Sequence, residues 1–273
     1  ENNISGVIMY DETLRQSTTC SDKTPFVDLL SNKNVLPGIK VDSGAKDLAG
    51  APGEKITEGL DGLRERLDEY YSLGARFAKW RAVITIGNGM PSEHCVAANA
   101  HALARYASLC QEASIVPIVE PEVLMDGVHT IESCYDVTDR VLDCVFDTLK
   151  LHNVMLEGIV LKPNMVISGM GCSEQADIEA VAEMTVKVLK ANVPNEVPGI
   201  AFLSGGQSSD DATAHLNSMN KNNGHLPWDL TYSYGRALQA DALSDWGGSD
   251  RAKGQSSLLR RARENGLASC GEL

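Results

Sequence analysis

Residues 156–164 read Leu-Glu-Gly-Ile-Val-Leu-Lys-Pro-Asn, an apolar run that ends at Lys162, directly before a proline. Such a run predicts a strand that is buried on both faces, as strands of a parallel sheet are. A buried ammonium group is costly unless it is paired or neutral. A lysine placed there can instead be kept partly uncharged, so that its amine attacks a carbonyl group. Lys162 is therefore the first candidate for a catalytic residue.

Short apolar runs alternate with amphipathic stretches along the rest of the chain. Apolar residues recur at helical spacing from Leu60 to Tyr70 and from Val137 to Leu149, and Ser92 and Ser173 are predicted N-caps. Repeated strand–helix units predict a parallel sheet. The seven predicted strands are Gly6–Tyr10, Val35–Asp42, Phe77–Ile84, Ile115–Pro121, Gly158–Asn164, Gly199–Gly205 and Asp229–Arg236.

Polar residues at the carboxyl end of nearly every predicted strand favour a closed (β/α)8 TIM barrel over an open doubly wound sheet. The strand count is seven, one short of the barrel's eight, and residues 2–6 lead directly into the first strand. We therefore expect residues 1–273 to form one α/β barrel domain whose opening strand unit is absent, as in a piece of a longer chain.

Charged residues lie two positions apart at three of these strand ends, so that both members of each pair share one face of the strand. A structural ion-pair network at the barrel mouth is one interpretation. Catalysis is the other: Lys40 and Lys79 would add positive charge near Lys162, and Glu120 would donate a proton to a departing hydroxyl group. Glu122 is then expected to orient a lysine. The three pairs are Lys40 and Asp42, Lys79 and Arg81, and Glu120 and Glu122.

Small residues follow the last two predicted strands and suggest a site for an anion. Backbone N–H groups can approach an oxyanion closely where side chains are small, and an arginine adds a charged fork. Barrels commonly bind phosphate after their last two strands. The predicted cradle consists of Ser204, Gly205 and Gly206 together with Ser233, Gly235 and Arg236.

Composition narrows the function classes. The net charge of −13 argues against nucleic-acid binding, and the lack of an apolar run near 18 residues predicts no membrane span. Seven cysteines and six histidines show no ligand spacing, so we expect neither a metal nor another cofactor.

These segments together resemble the class I fructose-1,6-bisphosphate aldolases, the metal-independent family that works through a lysine. The resemblance covers nearly the whole chain, in family order. It rests on residues 156–164 and on Gly38-Ile-Lys-Val-Asp42, Gly59-Leu-Asp-Gly-Leu63, Phe77-Ala-Lys-Trp-Arg81, Val116-Pro-Ile-Val-Glu-Pro-Glu122, Phe202-Leu-Ser-Gly-Gly-Gln-Ser208 and Ser233-Tyr-Gly-Arg-Ala-Leu238.

The resemblance implies that Lys162 forms a Schiff base with dihydroxyacetone phosphate or with the keto end of the bisphosphate, in glycolysis and gluconeogenesis. Glu120 would move the protons, with Lys79 and Glu122 assisting. The predicted cradle would hold the phosphate nearest the ketone, Lys40 would face the far phosphate, and Arg81 would join the substrate-binding residues. It further implies phosphorylated sugars as substrates, a homotetramer, a cytosolic location with a plastid left open, and a cytoskeletal partner.

The sequence departs from the family pattern in two places, and two other functions stay open as alternatives to the aldolase. The family's first-strand Asp and following serines, and its C-terminal tail ending in Tyr, have no counterpart here. If these residues are the whole protein, this predicts weak or no aldol activity. A Schiff-base barrel of the transaldolase or deoxyribose-phosphate aldolase type would not need two phosphate sites. A catalytically inactive binding or scaffold protein would form no covalent adduct.

Overall fold

A computed structural model describes residues 3–19 and 21–273, and the predicted lead-in at Asn2 lies outside them. Its strands are β1 (Gly6–Met9), β2 (Leu36–Lys40), β3 (Gly44–Asp47), β4 (Lys55–Glu58), β5 (Phe77–Ile84), β6 (Val116–Val123), β7 (Val160–Leu161), β8 (Gly199–Phe202) and β9 (Asp229–Tyr232). Its helices are α1 (Asp11–Leu14), α2 (Phe26–Ser31), α3 (Leu63–Ser72), α4 (Glu93–Glu112), α5 (Ile131–Leu151), α6 (Ile178–Asn192), α7 (Ser209–Asn222), α8 (Arg236–Trp246) and α9 (Arg251–Ala268).

Seven of the strands form one curled parallel sheet in the order β1-β2-β5-β6-β7-β8-β9. Each consecutive pair is parallel and is joined through at least one helix, which confirms the predicted strand–helix repeats and the seven predicted strands. Within the described ranges β1 and β9 are the two edges. The Tyr232 hydroxyl on β9 donates to the Asn3 carbonyl just before β1 at 2.6 Å, so the sheet curls far enough to bring its edges together.

The helices cover the outside of the sheet because each has an apolar stripe. On α5, Val141, Val145 and Leu149 are buried at four-residue spacing, as the sequence predicts. Side chains alternate across the strands, so Trp80 points outward from β5 and stacks on Tyr106 of α4 with ring centroids 5.6 Å apart. The opposite face of the same strands is left to charged side chains.

Helix starts were predicted with mixed success. Ser92 caps α4 by accepting the Cys95 N–H at 3.1 Å, which confirms that prediction. The prediction for Ser173 is wrong, because α6 begins at Ile178 and its cap is Asp177, which accepts the Ala180 N–H at 2.8 Å.

Several strands are shorter than predicted, and one hairpin was missed. Pairing in β7 covers only Val160–Leu161, since Leu156–Gly158 forms a 3-10 turn and Pro163 has no N–H to donate. Arg236 was predicted to end a strand, but it is the first residue of α8. The antiparallel hairpin β3–β4 was not predicted. None of the helices in the described part of the chain has the length and apolar character that a membrane crossing requires.

Candidate active site

A row of buried charges crosses the inner face of the sheet near its carboxyl end. Lys162 Nζ lies 3.1 Å from Glu120 Oε1, and Lys79 Nζ lies 3.3 Å from Glu120 Oε2. Lys79 also lies 3.6 Å from Asp42 Oδ2, and Asp42 Oδ1 lies 2.6 Å from Lys40 Nζ. Positive and negative groups thus alternate through five side chains, and only Lys40 is appreciably exposed. Alternation of sign is what allows so many charges to be buried together.

Strand pairing places these groups side by side. Residue 40 on β2 is opposite Lys79 on β5, and Arg81 on β5 is opposite Glu120 on β6. The backbone N–H of Lys162 donates to the Val119 carbonyl at 2.8 Å, which carries the lysine one residue beyond the paired part of β7. The ionic row therefore follows from the register of four neighbouring strands.

Asn164 ties the ends of β6 and β7 together behind this row. Its side-chain oxygen accepts the Val123 N–H at 3.0 Å, and its amide donates to Thr138 at 3.2 Å. Asn164 is 4% exposed, so these hydrogen bonds lie away from water and hold Lys162 and Glu120 at a fixed separation.

Two partners differ from the expectations. Asp42 was noticed as a strand-end residue without a role, yet it joins Lys40 to Lys79 and accepts the Gly44 N–H at 3.1 Å. Glu122 was expected to orient a lysine, but its ion pair is with the guanidinium of Arg81. Burial favours the neutral form of Arg81, but the Glu122 carboxylate outweighs it, and the pKa of Arg81 is raised.

The predicted anion cradle is divided between two loops that follow neighbouring strands. Ser204 is buried directly after β8, and Gly206 turns the chain with a φ of +70° before Ser208 caps α7. Ser233, whose N–H donates to Phe202 at 2.9 Å, follows β9, and Gly235 and Arg236 open α8. Arg236 is exposed. The cradle adjoins the Arg81–Glu122 ion pair, because a Cβ built on Gly205 would lie 3.2 Å from Glu122 Oε1.

Among residues 3–19 and 21–273, no cluster of three His, Cys, Asp or Glu side chains could hold a metal ion, and Cys20 lies outside that part. The chemistry of the row is that of an amine beside a carboxyl group. Such a pair can add the amine to a carbonyl and move the protons that this requires.

Comparison with known proteins identifies the family that shares this arrangement. The family model described as fructose-bisphosphate aldolase class-I matches residues 1–273. The chain belongs to the class-I fructose-bisphosphate aldolase family. It is therefore a lyase, as expected from the resemblance.

Individual relatives agree. The chain is 58% identical over 272 residues to the probable fructose-bisphosphate aldolase class 1 of Xanthomonas campestris pv. campestris. This match covers 98% of this chain and 80% of that protein. It is 52% identical over 272 residues to fructose-bisphosphate aldolase 6, cytosolic, of Arabidopsis thaliana. That match covers 98% of this chain and 75% of the Arabidopsis protein.

A solved structure extends the agreement to the fold. Fructose-bisphosphate aldolase from Plasmodium falciparum, crystallised with TRAP and a small-molecule inhibitor, matches with a TM-score of 0.96 at 49% identity. The match covers 99% of this chain and 78% of that chain. The predicted TIM-barrel class is confirmed by this similarity, and the seven-stranded sheet is the part of the barrel that the described residues build.

Proposed function

We propose that this chain cleaves fructose 1,6-bisphosphate reversibly to dihydroxyacetone phosphate and glyceraldehyde 3-phosphate, in glycolysis and gluconeogenesis, with Lys162 as the nucleophile. The observation that carries the proposal is the 3.1 Å contact between Lys162 Nζ and Glu120 Oε1, both in a buried setting. Transfer of one proton across this contact turns the ion pair into a neutral amine and a carboxylic acid. These are the two forms that attack on a ketone requires.

The first half of the reaction forms the imine. The Nζ lone pair of Lys162 attacks the C2 carbonyl carbon, and the carbonyl oxygen takes a proton to give a carbinolamine. Glu120 then donates a proton to the carbinolamine hydroxyl, which leaves as water. Lys79 shares the Glu120 carboxylate at 3.3 Å, so it keeps a positive charge beside the site while that carboxyl group gains and loses its proton.

The second half of the reaction breaks a carbon–carbon bond of the substrate. The Glu120 carboxylate, which lost its proton when water left, takes the proton of the C4 hydroxyl. The C3–C4 bond then breaks, and the electron pair of that bond moves to the protonated imine nitrogen, which gives an enamine. Glyceraldehyde 3-phosphate departs with its new aldehyde. Protonation at C3 followed by hydrolysis of the imine releases dihydroxyacetone phosphate and returns the amine of Lys162. The positive imine nitrogen lowers the barrier because it accepts the electron pair.

We assign the two phosphates to opposite sides of the ionic row. The cradle after β8 and β9 would take the phosphate nearest the ketone, with Ser204, Gly205, Gly206, Ser233, Gly235 and Arg236 as its residues. Lys40, which is partly exposed at the β2 end of the row, would face the far phosphate, and Arg81 would contact the sugar between them. The buried Glu122 carboxylate supports that role for Arg81, since it holds the guanidinium at the mouth.

Trapping with borohydride tests the proposal. The wild-type chain and the Lys162→Met variant are incubated with dihydroxyacetone phosphate, reduced, and mapped by peptide mass. Lys150 on α5 is exposed and serves as the matched control, Lys150→Met. We expect a reduced adduct on Lys162 in the wild type and in the control, and none in Lys162→Met. An adduct elsewhere, or no adduct at all, would contradict the proposal, and the second result is the one expected of an inactive scaffold.

Comparison of substrates separates the aldolase from the other Schiff-base barrels. We expect cleavage of fructose 1,6-bisphosphate to be more efficient than cleavage of fructose 1-phosphate, because only the bisphosphate uses Lys40. The matched variant Lys40→Met should lose this preference while it keeps the activity on fructose 1-phosphate. Equal efficiency with both sugars in the wild type would favour a barrel with one phosphate site.

We further propose that the protein works as a cytosolic homotetramer. The name of the Arabidopsis relative supports the location, since it describes a cytosolic isozyme. Light scattering after size exclusion should give the mass of four chains, and a monomer would contradict the assembly. The cytoskeletal partner stays a prediction, which co-sedimentation with actin filaments would check.

A further inference from the structure

Three loops at the mouth of the sheet are joined to one another. The Met170 N–H, in the loop after β7, donates to the carbonyl of Met125, in the loop after β6, at 2.9 Å. The Gly171 N–H donates to the Gly127 carbonyl at 2.8 Å. These two hydrogen bonds make the loops after β6 and β7 one unit, which lies against the third loop, the Gly205–Gly206 turn after β8.

Met125 is the side chain that makes contact with that turn. A Cβ built on Gly205 would lie 2.2 Å from Met125 Cε, and one built on Gly206 would lie 2.3 Å from Met125 Cγ. Only a glycine backbone can come this close. Met170 adds a second contact, since its Sδ would lie 3.2 Å from the Gly206 Cβ. The two methionines therefore pack directly on the backbone of the turn.

The burial of Met125 has no explanation in the main core. Met125 is 5% exposed, yet it is not part of the hydrophobic cluster that packs between sheet and helices. The same point on Gly205 that Met125 approaches would lie 2.8 Å from Leu203 Cδ1 and 3.2 Å from Glu122 Oε1, so Met125 lies in the neighbourhood of these two side chains. The side chain is thus buried at the mouth, by the residues around the anion cradle.

We infer that Met125, assisted by Met170, is a positioning residue that fixes the Gly205–Gly206 backbone in the shape that binds the phosphate nearest the ketone. The inference rests on the proposed function, because it needs that turn to be the phosphate site. Glycine backbone is the most mobile kind, and a turn that must be ordered during binding binds more weakly than one already ordered. Packing by Met125 orders the turn in advance, and the hydrogen bond from Met170 keeps Met125 in place.

The test compares two ketones in the borohydride reaction at Lys162. Dihydroxyacetone phosphate uses the cradle, whereas dihydroxyacetone has no phosphate and depends on the ionic row alone. For Met125→Ala we expect the half-saturating concentration of dihydroxyacetone phosphate to rise about five- to thirtyfold. This factor corresponds to the entropy cost of fixing the backbone of one mobile residue during binding. The maximal trapping rate, and trapping of dihydroxyacetone, should stay within about twofold of the wild type, since neither depends on the turn.

Two further variants serve as matched controls. Met125→Leu preserves the volume and should bind dihydroxyacetone phosphate nearly as the wild type does. Met219 on α7 is completely buried in the main core, so Met219→Ala reports what a similar loss of packing does elsewhere. We expect it to lower stability without a change in the half-saturating concentration.

The possible results separate clearly. An unchanged half-saturating concentration in Met125→Ala, or an equal rise in Met219→Ala, overturns the positioning role while the proposed function stands. A wild type that traps neither ketone at Lys162 overturns both. Should Met125→Ala fail to fold, Met170→Ala decides: Met170 is 56% exposed, so the fold tolerates its loss, and a rise confined to dihydroxyacetone phosphate supports the role whereas no rise overturns it.

Discussion

Replacement of Glu120 by Gln should expose how much the ionic row depends on one carboxylate. Gln keeps the shape of the side chain and removes its charge. Glu120 is 3% exposed and lies 3.1 Å from Lys162 and 3.3 Å from Lys79. Unit charges at these separations attract by about 5 kcal/mol each at an effective dielectric constant of about 20, before the cost of desolvation is subtracted.

The net loss of stability is smaller than that attraction. Removing one partner from a buried ion pair destabilises a protein by about 3–5 kcal/mol, since the remaining charge stays buried without compensation. We therefore expect the free energy of unfolding, measured by urea denaturation at pH 7, to fall by about 3–5 kcal/mol in Glu120→Gln. Turnover of fructose 1,6-bisphosphate should fall by about 10²- to 10⁴-fold, because the proposed proton donor is lost.

A matched control isolates the effect of burial. Glu112 pairs with Arg64 at 2.5 Å, a shorter contact than either of the two at Glu120. The side chains of Glu112 and Arg64 are, however, both more than half exposed. Glu112→Gln should leave the unfolding transition and the turnover unchanged, because solvent screens exposed pairs. If Glu120→Gln unfolds like the wild type and keeps its turnover within tenfold, Glu120 neither compensates the two lysines nor donates the proton.

Three other changes test separate parts of the structure. Burial lowers the pKa of His215 from its ordinary value of 6.5, so the unfolded chain binds a proton more readily than the folded chain and stability should fall as the pH drops below 6.5. His215→Asn should flatten this fall in thermal melting experiments, and a pH profile identical to that of the wild type would contradict the prediction. Gly206→Ala places a side chain at a φ of +70° and against Met125, so binding of dihydroxyacetone phosphate should weaken at least tenfold, and unchanged titrations would refute this. Arg261, 2% exposed, donates to Thr213 and Asp210. Arg261→Leu leaves the buried Thr213 hydroxyl without this donor while Asp210 stays in solvent, so the free energy of unfolding should fall by about 1–3 kcal/mol, and an unchanged free energy would show that this network is dispensable.

The sequence was enough to predict the strands of the parallel sheet and to propose candidate site residues, because both depend on local pattern. An apolar run that ends in Lys162 and Pro163 is a buried strand with a lysine at its tip, whatever lies beside it. The spacing of Glu120 and Glu122 likewise places both on one face without knowledge of the neighbours. These properties belong to a single segment of chain, so one segment was enough to predict them.

The partners could not be predicted, because they depend on register between strands. Arg81 lies opposite Glu120 in the ladder between β5 and β6, yet its side chain reaches two ladder pairs further, to Glu122. Lys79, two pairs before Arg81, forms its ion pair with Glu120. Which cation takes which carboxylate is decided by side-chain reach across the twisted sheet, and no spacing along one strand contains that information.

The start of α6 and the small hairpin were not predicted correctly, for a related reason. Ser173 and Asp177 are both good N-cap residues, and the choice between them depends on the loop before α6, where the Gln175 amide donates to the Gly169 and Cys172 carbonyls. Those hydrogen bonds hold the loop in a non-helical shape past Ser173. The β3–β4 hairpin has few apolar residues, so its alternation was too weak to predict a strand pair.

Imine formation and phosphate binding are assigned to different strands of the sheet. The ionic row occupies β2, β5, β6 and β7, each of which is paired on both sides, so its geometry is fixed by two ladders per strand. Half of the cradle follows β9, which is an edge within the described ranges and is paired only with β8. Strands paired on one side open more easily than strands paired on both. Disturbance of the sheet should therefore affect phosphate binding at Ser233 before it affects imine formation at Lys162. On the β8 side of the cradle the strand beneath is paired on both sides and Met125 packs on the glycines, so we expect that side to stay ordered longer than the β9 side.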